Sequence, residues 1–297
     1  MVGDGQPGPV LDGDGAARGA TARRMVLGAQ LRRLREKAKI TRAEAAYTVR
    51  ASESKMSRLE LGRVAVKERD VADLLTMYGV GDPAEREAFL DMVRHANQPG
   101  WWRRYNDVLP SWFQDFVGLE ESASLIQCYE LQFVPGLLQL EAYAMAIATR
   151  GRPEFAPDDV KRRIAARMER QKILFGVHPP TLWVVLDESV LRRPIGGRQV
   201  FRAQLEHMIE MSLRPNITIQ VVPHHLSGYA AEGAFTILRF AEPELPHVAY
   251  IEHLGGALYL DGLAEIEVYG RALDRLMVDA ETPERSRQML AKVLAEV

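Results

Sequence analysis

The stretch 40–62 constrains the fold more than any other part of the chain, because it predicts two short capped helices joined by a turn. Thr41 is a favourable N-cap residue, and Glu44 three positions later completes a capping box. Ser52 provides a second N-cap, and Gly62 stands where a glycine commonly ends a helix. The stretch therefore predicts two consecutive helices in a fixed local arrangement.

The two predicted helices each have an apolar face and a polar face. Ala45 and Ala46 are small enough to let another helix come close, and Met56 and Leu59 lie three positions apart on the inward face of the second helix. The outward residues of the second helix are Glu53, Ser54, Lys55, Ser57 and Arg58. Serines permit close approach to a duplex, and Lys and Arg reach base edges or phosphates. Two interpretations stay open: a DNA-reading helix, or an ordinary amphipathic helix pair in an all-α domain.

The charge of the chain is unevenly distributed. The 297 residues carry a net charge of -2, yet residues 21–67 contain 13 Lys and Arg against four Asp and Glu, a net charge of +9. Residues 68–297 carry -9, and the first 20 residues carry -2. A basic segment of this size indicates a polyanionic partner, and the acidic remainder argues against a second nucleic-acid surface.

The segment from Met25 to about Ala96 resembles an XRE (lambda-repressor-like) helix-turn-helix domain. The matching positions are Leu31 to Arg35, Ala45, Ala46, Ser52, Ser54, Lys55, Ser57, Arg58, Glu60, Gly62 and Arg63. The resemblance implies double-stranded DNA as a partner, a homodimer, and a recognition helix at about 53–61 in the major groove. It also implies a structural ion pair between Arg35 and Glu60.

The resemblance gives six candidate DNA-binding residues: Arg42, Glu53, Ser54, Lys55, Ser57 and Arg58. Arg42 departs from the family, which usually has a phosphate-contacting Gln there; Arg can make the same contact with a full charge. Glu53 is also unusual, because it repels phosphates, although it can accept a hydrogen bond from cytosine N4. We expect Arg24, Arg32 and Arg35 on the first helix to flank the duplex.

The chain divides into three predicted parts. Residues 1–20, with six Gly and two Pro, predict a disordered tail. Residues 21–98 predict the five-helix DNA-binding domain, with a first helix from Met25 to Ala38 and a fifth helix opening at Pro83. The segment 97–100 is the best linker candidate. Residues 99–297 predict a C-terminal sensing or interaction domain.

The spacing of apolar residues changes along the C-terminal part of the chain. Residues 101–175 predict helices, whereas β-branched or aromatic runs within 180–297 predict strands with helices around them. The expected strands are 182–186, 217–222, 235–240, 247–252 and 258–260. The fold class is therefore mainly α plus α+β: a five-helix domain, a helical segment, and a small mixed sheet with flanking helices.

A second resemblance covers roughly residues 101–290. Three stretches, Glu130 to Gln139, Leu186 to Gly197 and Gln220 to Pro223, resemble the uncharacterised domain that follows such modules in actinobacterial regulators of the WhiJ-like group. This implies a transcription regulator, often paired with a small partner protein, and transfers no catalytic or ligand residues. Two further hypotheses are an antitoxin-like module that sequesters a small partner protein, and a small-molecule sensor with its ligand between the sheet and the helices of 112–175.

The remaining motifs do not predict an enzyme, a cofactor or a metal. His224 and His225 lack ligand spacing on one element, and Ser227-Gly228-Tyr229 lacks a nucleophile-elbow frame. The arginines of 162–170 favour a solvated face paired with Glu169 over an anion site, and the aromatics of 101–105 favour packing over base stacking. No apolar run approaches a membrane span, and the single cysteine, Cys128, allows no intrachain disulfide, which together predict a cytoplasmic protein.

Overall fold

The computed structural model describes residues 20–62, 64–98, 100–151, 155–225, 232–242 and 245–297. The predicted disordered tail therefore lies outside the described residues, apart from Ala20. Arg63 of the first resemblance, Pro99 of the linker candidate and the segment Ser227-Gly228-Tyr229 also lie outside them.

The N-terminal region, residues 20–98, contains the five predicted helices. They are α1 (Ala20–Lys37), α2 (Arg42–Thr48), α3 (Glu53–Glu60), α4 (Glu68–Met77) and α5 (Pro83–Ala96). Their core combines Leu27 and Leu31 of α1 with residues of the other four helices, among them Ala45, Met56, Leu59, Val71, Leu74, Leu75, Phe89 and Val93. These are the apolar positions that helical spacing predicts, and burying each such side chain contributes about 1.5–3 kcal/mol.

The C-terminal region, residues 100–297, combines six helices with six strands in its described part. The helices are α6 (Ser111–Glu120), α7 (Glu141–Gly151), α8 (Pro157–Arg170), α9 (Arg198–Met211), α10 (Leu263–Asp279) and α11 (Pro283–Glu296). The strands are β1 (Leu125–Glu130), β2 (Thr181–Asp187), β3 (Ile217–Val222), β4 (Phe235–Arg239), β5 (Val248–His253) and β6 (Gly256–Leu260). Short 3-10 helices cover Trp101–Tyr105, Gly136–Leu138, Gln171–Phe175 and Glu188–Arg192.

The strands form one mixed sheet in the order β3-β2-β1-β4-β5-β6. β1, β2 and β3 are parallel, whereas β4, β5 and β6 pair antiparallel. A mixed sheet with flanking helices confirms the predicted fold class. The uniform helical assignment of 101–175 is wrong in one place, because β1 is a central strand within it. Four consecutive residues of β1, 126–129, are buried, so the strand has none of the alternation that identifies a half-exposed strand.

The sheet is covered on both faces. α10 packs on one face, where Leu273 and Leu276 meet Tyr129, Val185 and Ile237. The other face carries the largest core, to which α6, α7, α9 and α11 contribute. Val26 of α1 belongs to this C-terminal core, although the next residue, Leu27, belongs to the core of the N-terminal region. α1 therefore joins the two regions.

The predicted solvated face of α8 is wrong for two of its four arginines. Arg170 is buried and its Nη2 donates to Glu120 Oε1 at 2.7 Å. Arg167 is partly buried and donates to Gln139 Oε1 at 2.6 Å. Glu169, their expected partner, instead accepts a hydrogen bond from Tyr105 and pairs with Arg104. These partners lie far away in sequence, so helical spacing within α8 could not indicate them.

The aromatic cluster at the start of the C-terminal region packs within that region, because Trp102 lies beside Gly118 of α6 and Tyr105 donates to Glu169 of α8. Trp102 is 5% exposed, and Trp101 meets both Trp102 and Tyr105 edge to face. Such contacts favour a fixed position of the ring over availability for base stacking.

Candidate nucleic-acid interface

The α2–α3 unit is held by the caps that its sequence predicts. Thr41 Oγ1 accepts from Glu44 N at 3.2 Å while Thr41 N donates to Glu44 Oε2 at 2.7 Å, which completes the capping box. Ser52 Oγ accepts from Lys55 N at 3.2 Å at the start of α3. Each cap satisfies backbone groups that would otherwise lack a partner at a helix end.

The turns around α3 use left-handed backbone. Arg50, between α2 and α3, has φ +50°, and Gly62, after α3, has φ +67°. The Ala51 N–H donates to Ala46 O at 2.9 Å, which closes the end of α2. A Cβ on Gly62 would also lie 2.5 Å from the backbone of Met25, so both space and backbone angle require glycine there.

The predicted site residues lie on the outward side of this unit. Glu53, Ser54, Lys55 and Arg58 are exposed, and Ser57 is partly exposed. Met56 and Leu59 are buried at 0% and 3% exposure, which fixes the rotation of α3 about its axis. Four of the six candidates are thus accessible to a large partner.

Arg42 occupies a different position from the other five candidates. Its side chain is 38% exposed, and its Nε lies 3.6 Å from Glu60 Oε2. Arg42 therefore faces the buried carboxylate with one side of its guanidinium and solvent with the other. The sequence indicates Arg42 as a candidate but does not indicate its approach to Glu60.

A buried ion pair anchors α3 to α1. Arg35 Nε and Nη2 donate to the two carboxylate oxygens of Glu60 at 2.5 and 3.0 Å, and Arg35 Nη1 donates to Ile40 O at 2.9 Å. The hydrogen bond that Arg35 donates to Glu60 raises the pKa of Arg35, and burial raises the pKa of the neighbouring Tyr78. The pair that the first resemblance implied is present, and its burial means that Arg35 does not flank a duplex.

The backbones of α1 and α3 also approach each other closely, which supports the same arrangement. A Cβ on Gly28 of α1 would lie 2.5 Å from Leu59 O and 2.6 Å from Glu60 O. Only glycine permits α1 to pass this near to the end of α3. The rear of α3 is therefore fixed by packing and by charge, while its outward side stays open.

Two exposed residues next to α3, Tyr47 and Arg50, were not predicted from the sequence as part of the site. Tyr47 is 86% exposed and lines a shallow surface depression with Thr48, Arg50 and Ala51, directly before α3. A large aromatic opposite the buried Ala45 and Ala46 is the sequence signal that could have found it. The exposed guanidinium of Arg50 adds positive charge beside the ring.

The prediction that Arg24 flanks a duplex is wrong. Arg24 is partly buried where α1 meets the C-terminal region, and its Nη2 donates to Thr21 Oγ1 at 3.0 Å. Burial lowers the pKa of Arg24, whereas Asp115 of α6 raises it. The reason is that α1 begins at Ala20, five residues before the predicted start, so its first turns pack on α6.

Comparisons with known proteins separate the two regions. Residues 26–89 match a helix-turn-helix domain, and residues 113–292 match the domain of unknown function DUF5753. The second match spans more than half of the chain. The chain belongs to the DUF5753 family. No curated protein and no solved structure matches it. The helix-turn-helix match points to a DNA-binding regulator.

Charged groups lie between the sheet and α8 in the DUF5753 region. Burial, and to a lesser extent the Glu252 carboxylate, raise the pKa of Glu130 at the end of β1 to about 8, although Arg170 opposes the shift. Burial lowers the pKa of Arg167 to about 10. The apolar side chains of α6, α7 and the sheet form one packed core beside this cluster. A ligand between the sheet and the helices of 112–175 therefore has to share this space with packed side chains.

Two acidic side chains of the DUF5753 region accept hydrogen bonds from backbone N–H groups that follow strands. Asp187 Oδ1 accepts from Ser189 N at 2.8 Å, and Glu188 Oε2 accepts from His224 N at 3.0 Å. Cys128 is 4% exposed, and burial raises the pKa of its thiol. Among the described residues, no group of three or more His, Cys, Asp or Glu could hold a metal ion. In the same part of the chain, no helix has the length and hydropathy to cross a bilayer.

Proposed function

We propose that this chain is a sequence-specific transcription regulator of the XRE (lambda-repressor-like) type, with α3 as the helix that reads the major groove. One observation carries the proposal: Ser54, Lys55 and Arg58 are exposed on a helix whose opposite side is fixed in the core. Short hydroxyls at the tip of such a helix permit close approach, and the long cationic side chains reach the duplex.

Each candidate residue has a proposed role. Arg58 contacts a guanine, and Lys55 contacts a phosphate. Glu53 accepts from cytosine N4, and Ser54 and Ser57 lie against the groove. Arg42 contributes positive charge to phosphate binding from the edge of the surface, and its position 3.6 Å from Glu60 supports a fixed orientation.

The proposed regulator acts as a homodimer. Two copies place two α3 helices in successive major grooves, about 34 Å apart on a pseudo-palindrome. The proposed division is a DNA-binding domain at 21–98 and a sensing or interaction domain at 99–297, of the kind found in WhiJ-like actinobacterial regulators. A small molecule or a small partner protein bound to the second domain would set the activity.

Arg58→Ala is the sharpest test of base reading. Genomic fragments selected with the purified full chain supply the operator, and fluorescence anisotropy measures binding at fixed salt. We expect a loss of about 1–3 kcal/mol that is specific to fragments with the contacted guanine. Arg285→Ala on α11 is the matched control, because Arg285 is exposed and remote from α3 in the fold. Unchanged operator affinity in Arg58→Ala would contradict the assignment.

Lys55→Ala tests phosphate contact. Loss of one phosphate contact should reduce the slope of log affinity against log salt concentration by about one, on every duplex sequence. Lys292→Ala on the exposed side of α11 removes an equal charge from a distant surface. A slope equal to that of the unaltered chain in both variants would exclude Lys55 from the interface.

An alternative function is an antitoxin-like module that sequesters a small protein. Exposed apolar side chains beside β6, the last strand of the sheet among the described residues, favour it: Leu254 is 90% exposed, Leu258 53% and Leu263 78%. Exposed apolar side chains next to an edge strand suit protein contacts. Selection of no genomic fragment above non-specific affinity, together with a stoichiometric small protein in pull-downs, would favour this alternative over DNA reading.

A further inference from the structure

A cavity of about 190 Å³ lies where the N-terminal and C-terminal regions meet. The first contributes Arg24 of α1 and the segment at Asn97 and Gln98. The second contributes Trp102 and Arg103, together with the start of α6. The cavity is therefore formed by the junction itself and does not belong to either core.

The charge of the cavity lining is positive. Two guanidinium groups, those of Arg24 and Arg103, share the lining with one carboxylate, that of Asp115. Arg24 Nε is buried, and no hydrogen-bond acceptor among the described residues reaches it. A buried donor without a partner destabilises the fold, so an acceptor brought by a ligand would offset that cost.

The remaining lining fixes the size and character of an occupant. Ser111, Gln114, Asn97 and Gln98 add hydroxyl and amide groups, and the ring of Trp102 closes one side. At about 30 Å³ per water molecule, the volume corresponds to roughly six waters. Gly100 keeps the Trp102 ring in place, because a Cβ at position 100 would collide with it.

We propose that this junction cavity binds a small oxyanion, a carboxylate or a phosphate, through Arg24 and Arg103. The planar, multi-donor guanidinium suits both anions, and the surplus positive charge of the lining favours a negatively charged occupant. The volume of about 190 Å³ admits inorganic phosphate or a small organic acid.

Such a ligand would couple the two regions. The ligand would contact α1, whose Arg35 forms the ion pair with Glu60 of α3. It would also contact α6, which packs against the sheet. If the regions shift on DNA binding, the anion and the duplex change each other's affinity by the same factor. This regulatory part rests on the proposed DNA-binding function, whereas the anion site itself does not.

The site is tested on the full chain with inorganic phosphate and acetate as probes, by isothermal titration in chloride buffer at constant ionic strength. We expect saturable binding of at least one probe at one site per chain, with at least a tenfold loss of affinity in Arg24→Gln and in Arg103→Gln. Arg103 is exposed, so its variant keeps the fold even if Arg24→Gln loses stability. Arg202→Gln, an exposed arginine of α9 paired with Glu206, is the matched control and should bind like the unaltered chain.

Three outcomes overturn the proposal or its parts. If neither probe binds saturably, there is no anion site. If affinity falls in Lys55→Ala but not in Arg24→Gln or Arg103→Gln, the anion occupies the DNA-facing surface instead. Titration of the DNA complex tests coupling: equal probe affinity with and without duplex rejects it, and a changed affinity supports it. Failure to bind any DNA rejects the proposed function while the titration of the free chain still decides the site.

Discussion

The two regions treat their charged residues in opposite ways. Each is held by one buried Arg–Glu pair: Arg35 with Glu60 in the N-terminal region, and Arg170 with Glu120 in the C-terminal region. In the first, the other charged residues of α3, Glu53, Lys55 and Arg58, are exposed to solvent. In the second, further charges such as Glu130 and Arg167 face the same interior as the pair. The charge on the outward side of α3 is available to a polyanion, whereas the charge around the Arg170–Glu120 pair is occupied within the fold.

Removing one partner of each buried pair should give the largest effect. Glu120→Ala leaves the Arg170 guanidinium buried without its carboxylate, and Glu60→Ala does the same to Arg35. We expect each to lower the free energy of unfolding by about 3–5 kcal/mol, measured by urea denaturation. Glu60→Ala should be the milder change, because Arg35 keeps its bond to Ile40 O and the neighbouring Glu36 at 3.6 Å.

Glu206→Ala supplies the control for this comparison. Glu206 forms an exposed ion pair with Arg202 at 3.2 Å, and such pairs contribute about 0–1 kcal/mol. A cost for Glu120→Ala as small as that of Glu206→Ala would show that the buried pair does not hold α6 to α8.

Glu130 should give the C-terminal region a pH dependence. Its pKa rises from an ordinary 4.5 to about 8 in the folded state, so the folded chain binds this proton more tightly than the unfolded chain. The stabilisation is complete below about pH 4.5 and is lost as the pH rises through about 8, a loss of several kcal/mol.

Glu130→Gln should therefore reduce the change in the free energy of unfolding with pH between these two pH values, measured by thermal or urea unfolding across the range. Glu141→Gln, the same substitution at an exposed position of α7, should leave the pH profile of the unaltered chain. If Glu130→Gln has the same slope as the unaltered chain, burial does not keep this carboxyl protonated.

The smallest expected effect compares one helix cap from each region. Thr41 and Glu44 cap α2 reciprocally, whereas Thr282 only accepts from Arg285 N, at 3.3 Å, at the start of α11. We expect Thr41→Ala to cost about 1–2 kcal/mol and Thr282→Ala about 0.5–1 kcal/mol in unfolding free energy. Equal costs would mean that the additional bond from Thr41 Oγ1 to Glu44 Oε2, at 2.6 Å, contributes nothing.

Features set by neighbouring residues could be predicted from the sequence. The capping box at Thr41, the buried pair Met56 and Leu59, and the positions of β2 and β3 all follow from local spacing. The ion pair of Arg35 with Glu60, 25 positions apart, came only through resemblance to a known family.

Features set by distant residues could not be predicted. Arg170 is buried because Glu120, 50 positions earlier, lies opposite it. Arg24 lies away from the predicted DNA-binding surface because the start of α1 packs on α6. No local sequence pattern indicates this contact. β1 was missed because a strand covered on both sides has the same continuous apolar character as a segment of buried helix.

The division of α1 between two cores has a practical consequence for fragments of this chain. Val26 fills the C-terminal core and Leu27 the N-terminal one, with a single peptide bond between them. A fragment cut at residues 97–100 to isolate the C-terminal half would expose the surface that Val26 covers. The complementary fragment would carry that valine into water at its own end. Expression of either half as an independent unit therefore calls for a duplicated or redesigned first helix.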